Sequence, residues 1–192
     1  LAELQALDAA WNYPQFRGRG IGVPSFAEFL EEMAPVPDLL FFFDFKDEEA
    51  VRVALRQLQA YPQLSNRYML GSVFQSCNRY LRKVRRSKTV PVCSDIRQTF
   101  RIMGAYYSWL LPHYRPQQEV AGFILLDRTQ RFWRWDLVAS VHASGMRILL
   151  CGEELSKPDV LRECVRQGVD YIMTDRPDLL QQILAEEEEA RK

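Results

Sequence analysis

The chain has 192 residues, 47% of them hydrophobic, and its 25 basic and 25 acidic side chains give a formal net charge of zero. That length and apolar content suffice for one buried core, and the balanced, dispersed charge argues against a nucleic-acid partner or an acidic polymer substrate. Cys77, Cys93, Cys151 and Cys164 lie far apart with no Cys-x-x-Cys pair, which points to reduced thiols and away from zinc.

In chain order, "PSFAEFLEEM" predicts a helix whose N-cap is Ser25, with Glu28 three residues later completing a capping box. "LLFFFDF" predicts the first strand and "DEEAVRVALRQLQAY" the helix after it. "RYMLGSV" and "QSCNRYLRKVRR" form the next strand and helix, followed by "TVPVCSD" and the long helical pattern "SDIRQTFRIMGAYYSWLL". "AGFILLD" leads into "RFWRWDLVASVHASG", where Gly145 marks the stop, and "MRILLCG" into "KPDVLRECVRQG", where Gly168 does the same. "DYIMTD" is the sixth strand. Six apolar strands alternating with amphipathic helices describe a parallel sheet covered on its outer face, as in a doubly wound sheet or a (β/α)8 barrel. No linker or composition break divides residues 1–192, so a single domain is expected, and "EEEEARK" is a solvated helix end.

The first strand raises the functional question. Strand side chains alternate, so Phe42, Asp44 and Lys46 share one face and Phe41, Phe43 and Phe45 the other. Two opposite charges at the end of an apolar strand either pair with each other or meet a cation and an anionic ligand, and in barrels ligands sit at the carboxyl ends of strands. "GVDYIMTDRPDLL" repeats the arrangement with Thr174 and Asp175 before a Pro at the first helical turn, where Asp175 has the plainer alternative of capping the helix.

These stretches carry a resemblance. "IGVPSFAEFLEEM", then a strand ending acid-x-Lys in "FDFK", then "GVDYIMTDRPDLL" resemble, in order and spacing, the glycerophosphodiester phosphodiesterase family, whose fold is a (β/α)8 TIM barrel. The resemblance implies hydrolysis of glycerophosphodiesters or lysophospholipid head groups with a divalent metal, Mg2+ or Ca2+, held by carboxylates. It implies that Asp44 is a metal ligand, one methylene shorter than the usual glutamate, and that Lys46 is the catalytic lysine that meets the phosphate and its developing charge.

Other parts of the family pattern are missing. No histidine-arginine-glycine strand, paired acids or histidine-aspartate pair precede "VPSFAEF", and His113 and His142 stand in settings where a structural or exposed role is expected. Where the family has a Trp-containing seventh strand this chain has "LLCGEE", so Cys151 and Glu154 become weak substrate-binding candidates. A complete barrel of this type takes about 250 residues and eight strands. The chain is therefore read as strands three to eight of a larger enzyme, lacking the first two strands and inactive alone; it begins at Leu1 without an initiator methionine. The alternative is a catalytically inactive barrel that binds anionic head groups or serves as a scaffold. A doubly wound nucleotide-binding sheet is disfavoured, because "FKDEEAVR" has no glycine in the turn after the first strand.

Two stretches bear on location, for which a cytoplasmic or membrane-associated setting is expected. "YLRKVRRSK" is basic, as suits either an anionic surface or the end of a helix dipole. Residues 100–114 are richer in aromatics than a covering helix needs, which suggests a peripheral membrane contact, with packing against the barrel or a partner subunit as the plainer alternative.

Overall fold

The computed structural model describes residues 2–84, 90–126 and 133–190. It divides into two units, one of Leu1–Phe41 with Glu49–Tyr68, the other of Phe42–Glu48 with Met69–Lys192. In the first, a short helix α1 (Ala2–Gln5) precedes α2 (Phe26–Met33). The expected capping box is present: Glu28 N–H donates to Ser25 Oγ and Ser25 N–H to the Glu28 carboxylate. Helix α3 (Glu48–Leu58) buries Val51, Ala54 and Leu58, one face at helical spacing. Arg67 donates to the carbonyls of Ala34, Val36 and Leu39 and lays its guanidinium over the Phe41 ring, which fixes the run leading into the first strand.

The strands, which apart from their first residues Phe41 and Tyr68 belong to the second unit, are β1 (Phe41–Asp44), β2 (Tyr68–Gly71), β3 (Val120–Ile124), β4 (Arg147–Cys151) and β5 (Tyr171–Met173). The helices are α4 (Gln75–Val84), α5 (Ile96–Tyr107), α6 (Asp136–Ala143), α7 (Pro158–Gln167) and α8 (Pro177–Glu189). β1 pairs with β2, and β3, β4 and β5 form a parallel three-stranded sheet. The third expected strand, "TVPVCSD", is reduced among the described residues to two parallel bridges, Val92 to Leu70 and Cys93 to Val120. Pro91 has no N–H to give the ladder, and Asp95 already caps α5 through a capping box with Gln98. Side chains replace the ladder there: Gly122 N–H donates to Ser94 Oγ, and Thr99 Oγ1 donates to Gly122 O.

The bridges join the two sheets, so the neighbour order is β1, β2, the 92–93 segment, β3, β4, β5, the order of the chain itself. A doubly wound sheet reverses its order at a switch point; this array does not. Right-handed crossovers in a constant direction place the connecting helices on one face, where α5, α6, α7 and α8 lie. That face is the larger core, in which Ala121, Phe123, Ile148 and Leu150 pack with Ile102 of α5, Val138 and Val141 of α6, Leu161 of α7 and Ile183 of α8. On the opposite face the cluster among the described residues includes no helix residue. Met69, Cys93, Val120 and Leu149 cluster there with Phe42, Cys151 and Tyr171, all from strands or the 92–93 segment. Strand side chains meeting one another across a helix-free face are what a sheet curled on itself produces. The fold is thus mixed α/β with parallel strands; closure into a complete barrel is not seen among the described residues.

Candidate functional site

Asp44 ends β1 on the helix-free face, in the same alternation as Phe42, and Lys46 follows on that side. Lys46 Nζ lies 2.5 Å from Asp44 Oδ2, with the two side chains 64% and 35% exposed. The residue between them anchors the pair. Phe45 is buried on the helix side, its N–H donates to Gly71 O, and its carbonyl accepts from Ser72 Oγ. Ser72 is held in turn, because Asn78 Nδ2 donates to Ser72 O and Cys93 O. The charged pair thus stands on backbone tied to the carboxyl ends of two neighbouring elements.

Below the pair the face is neutral and crowded. Gly71 is required there, because a Cβ would come 2.7 Å from the Phe42 ring, and Gly122 likewise, because a Cβ would come 2.6 Å from Cys93 Sγ. Burial pushes the Cys93 thiol up to about 12, with the Cys151 thiol and the Asp44 carboxylate adding to the rise. Cys151 is raised by burial and then by Asp44. Both thiols stay protonated at neutral pH, so neither offers a thiolate nucleophile, and Asp44 lies within electrostatic reach of each. Cys151 Sγ donates to Phe123 O.

Other candidates from the sequence lie elsewhere. Glu154 is buried in a 3-10 turn, Glu153–Ser156, where both carboxylate oxygens accept from Lys157 Nζ at 2.8 Å. That local pair occupies the side chain. Thr174 Oγ1 donates to Leu155 O and accepts from Arg176 N–H, which fastens the end of β5 to this turn. Asp175 is not the cap of α8: the N-cap is Arg176, and it makes no side-chain cap bond. Asp178 in the first turn is held down at about 2 by its bond from Arg176. His142 of α6 bonds Asp170, and His113 is exposed in the turn Leu111–His113. Part of "YLRKVRRSK", residues 85–88, lies outside the described residues.

The cation implied by the resemblance can be tested against these donors. Mg2+ or Ca2+ takes about six or more oxygens. Among the described residues no group of three or more His, Cys, Asp or Glu side chains could hold a metal ion, and Lys46 already engages one oxygen of Asp44. These residues do not by themselves fit a cation cage. The inner-face contacts at Cys93, Gly71 and Gly122 had no sequence-level prediction. Their signal was the alternation through "VCSD" and "AGF", which places a small residue opposite a thiol once the register is known.

No protein-family model matches the chain, and no curated protein sequence matches it. Among solved structures it is similar to one from Silicibacter pomeroyi DSS-3 described as "Putative glycerophosphoryl diester phosphodiesterase", with a TM-score of 0.64 and 20% sequence identity. The match covers 87% of this chain and 58% of that one. At this identity the likeness is one of fold. It agrees with the fold that the sequence resemblance implies, and this chain spans less than two thirds of that protein's length.

Proposed function

We propose that the chain forms strands three to eight of a (β/α)8 barrel within a larger enzyme, a phosphoric diester hydrolase acting on glycerophosphodiesters or lysophospholipid head groups. The observation that carries this reading is the Asp44–Lys46 pair on the helix-free face at the carboxyl end of β1. That end of the strands is where parallel barrels assemble their sites.

The chemistry assigned to the pair is electrostatic. Lys46 has three N–H donors, and its bond to Asp44 leaves capacity for the non-bridging oxygens of a phosphodiester. Negative charge grows on those oxygens as phosphorus is attacked, and a fixed ammonium stabilises it more in the transition state than in the bound substrate. Asp44 positions that ammonium. The protonated thiols of Cys93 and Cys151 add no repulsion toward an anion. In this reading Asp44 would be one ligand of a divalent cation, Mg2+ or Ca2+, and the remaining ligands and the proton-transfer groups would belong to the rest of the larger enzyme.

The test is turnover of glycerophosphocholine and lysophosphatidylcholine by the complete protein. Lys46→Ala should remove most of the activity without changing the melting temperature; undiminished turnover would sink the assignment. A second reading is favoured by the bond from Lys46 to Asp44, which already engages an oxygen of that carboxylate. In it the barrel binds anionic head groups without cleaving them. It predicts that glycerol 3-phosphate binding depends on Lys46 while neither diester is hydrolysed.

A further inference from the structure

Helix α5 buries one side and leaves an apolar stripe on the other. At about 100° per residue, Ile96, Phe100 and Tyr107 fall within about 40° of one another around the helix, and the buried Gln98 and Ile102 lie on the far side. Ile96 is 55% exposed, Phe100 71% and Tyr107 49%. Gly104 stands on the same solvent side, and nothing lies within 4 Å of where its Cβ would be, so the helix surface is open at that turn.

The chain after the helix carries two more exposed apolar residues. Trp109 adopts a left-handed backbone with φ 58°, unusual for a bulky residue. It is held there by hydrogen bonds from Trp109 N–H to Tyr106 O and from Leu110 N–H to Ala105 O, while the next residue, Leu111, is buried in the core. Trp109 is consequently 89% exposed, beside Leu110 at 57%. The conformation places a large aromatic ring in solvent instead of tucking it under the helix.

The charge along this stretch of sequence has one sign; the acid beside it in space, Asp136, accepts from Tyr106 Oη and is paired with Arg134. From Ile96 to Gln118 the sequence contains Arg97, Arg101, His113 and Arg115 and no Asp or Glu. Arg97 and Arg101 are exposed and lie on the solvent side next to the stripe. Asp95, at the N-cap, is buried and accepts the Gln98 N–H. An apolar aromatic stripe beside two exposed arginines, with its neighbouring acid Asp136 already paired with Arg134, matches a surface that presents hydrocarbon below a layer of phosphates.

We propose that this face of α5, together with Trp109 and Leu110, docks on a bilayer containing anionic lipids. Phe100 and Trp109 enter the boundary between head groups and acyl chains, and Arg97 and Arg101 meet lipid phosphates. The helix lies in the plane of the surface; among the described residues no helix is long and apolar enough to cross a membrane. The proposal stands independently of any catalytic reading, since it uses none of the residues around Asp44.

The experiment is flotation of the full chain with vesicles of phosphatidylcholine alone and of phosphatidylcholine with phosphatidylserine. The chain should float with the anionic vesicles. Removing both rings in Phe100→Ser/Trp109→Ser should weaken partitioning about tenfold or more. Arg97→Gln and Arg101→Gln should each weaken it about fivefold, only on anionic vesicles and only at low salt. All four positions are exposed, so circular dichroism and melting should be unchanged. Failure of the unaltered chain to float, or equal flotation by the ring variant, overturns the proposal. So does a dimer of the unaltered chain that Phe100→Ser/Trp109→Ser converts to a monomer without any vesicle binding, which would make the stripe a contact between two copies.

Discussion

Lys46 Nζ and Asp44 Oδ2 stand 2.5 Å apart at the end of one strand, and the residue between them, Phe45, is buried and bonded to β2 on both its N–H and its carbonyl. Function and stability separate at this pair. A partly exposed ion pair contributes about 1 kcal/mol or less, so Lys46→Met and Asp44→Asn should leave the denaturation midpoint close to the original. Phosphate-dependent stabilisation, read as the shift in melting temperature with added glycerol 3-phosphate, should vanish in Lys46→Met. A retained shift would place the anion elsewhere.

Gly122 and Cys93 form a second testable pair. The Cβ of Gly122→Ala would fall 2.6 Å from Cys93 Sγ, an overpacking that should cost about 1–3 kcal/mol. Cys93→Ala removes the obstructing sulfur, so the double variant should be more stable than the sum of the two single changes predicts. Urea denaturation of the four proteins measures that coupling. Strict additivity would mean that the two side chains do not share space.

The thiols give a pH dependence with a definite sign. Cys93 and Cys164 are both pushed up to about 12, chiefly by burial, against an ordinary value of 9.0. In the folded chain they keep their protons up to about 12, while the unfolded chain loses them near 9. The unfolded state binds fewer protons in that window, so these thiols withdraw stability as pH rises from 9 to 12 and have no effect below it. Cys93→Ala should flatten the alkaline decline between pH 9 and 11, followed by thermal melts. At pH 8, a disulfide reagent should leave both thiols unmodified until denaturant is added.

Asp170 joins two elements of the second unit. Its Oδ2 accepts from Ile148 N–H and is 2.8 Å from His142 Nε2. Asp170→Ala deprives a backbone N–H of β4 of its acceptor and should cost about 1–2 kcal/mol. His142→Ala leaves that bond intact and should cost about half as much or less. Equal losses, measured by chemical denaturation, would show that the imidazole contact and not the backbone bond carries the stability.

Much of the architecture was legible because local chemistry and global packing agree. The Ser25–Glu28 box, the stops at Gly145 and Gly168, and the placement of Asp44 and Lys46 on one face all follow from capping rules and the two-residue strand period. The third strand was over-read. "TVPVCSD" has strand composition, but Pro91 and the α5 cap leave only two residues to pair, and their ladder continues through the side chains of Ser94 and Thr99. Glu154 was a weak substrate-binding candidate because "LLCGEE" stands where the family has its seventh strand, and its bond to Lys157 depends on a 3-10 turn that strand and helix periods do not reveal.

By itself, the sequence determined which residues could be buried and which faces could carry charge, because period and composition act within a few residues. Tertiary structure alone decided that strand order equals chain order, that Cys93 fills the space a side chain at Gly122 would need, and that Phe100 and Trp109 are left in solvent while Ile102 and Leu111 are buried. Those outcomes depend on contacts between segments distant along the chain, and an apolar side chain has the same local signature whether it faces a core, a partner or water.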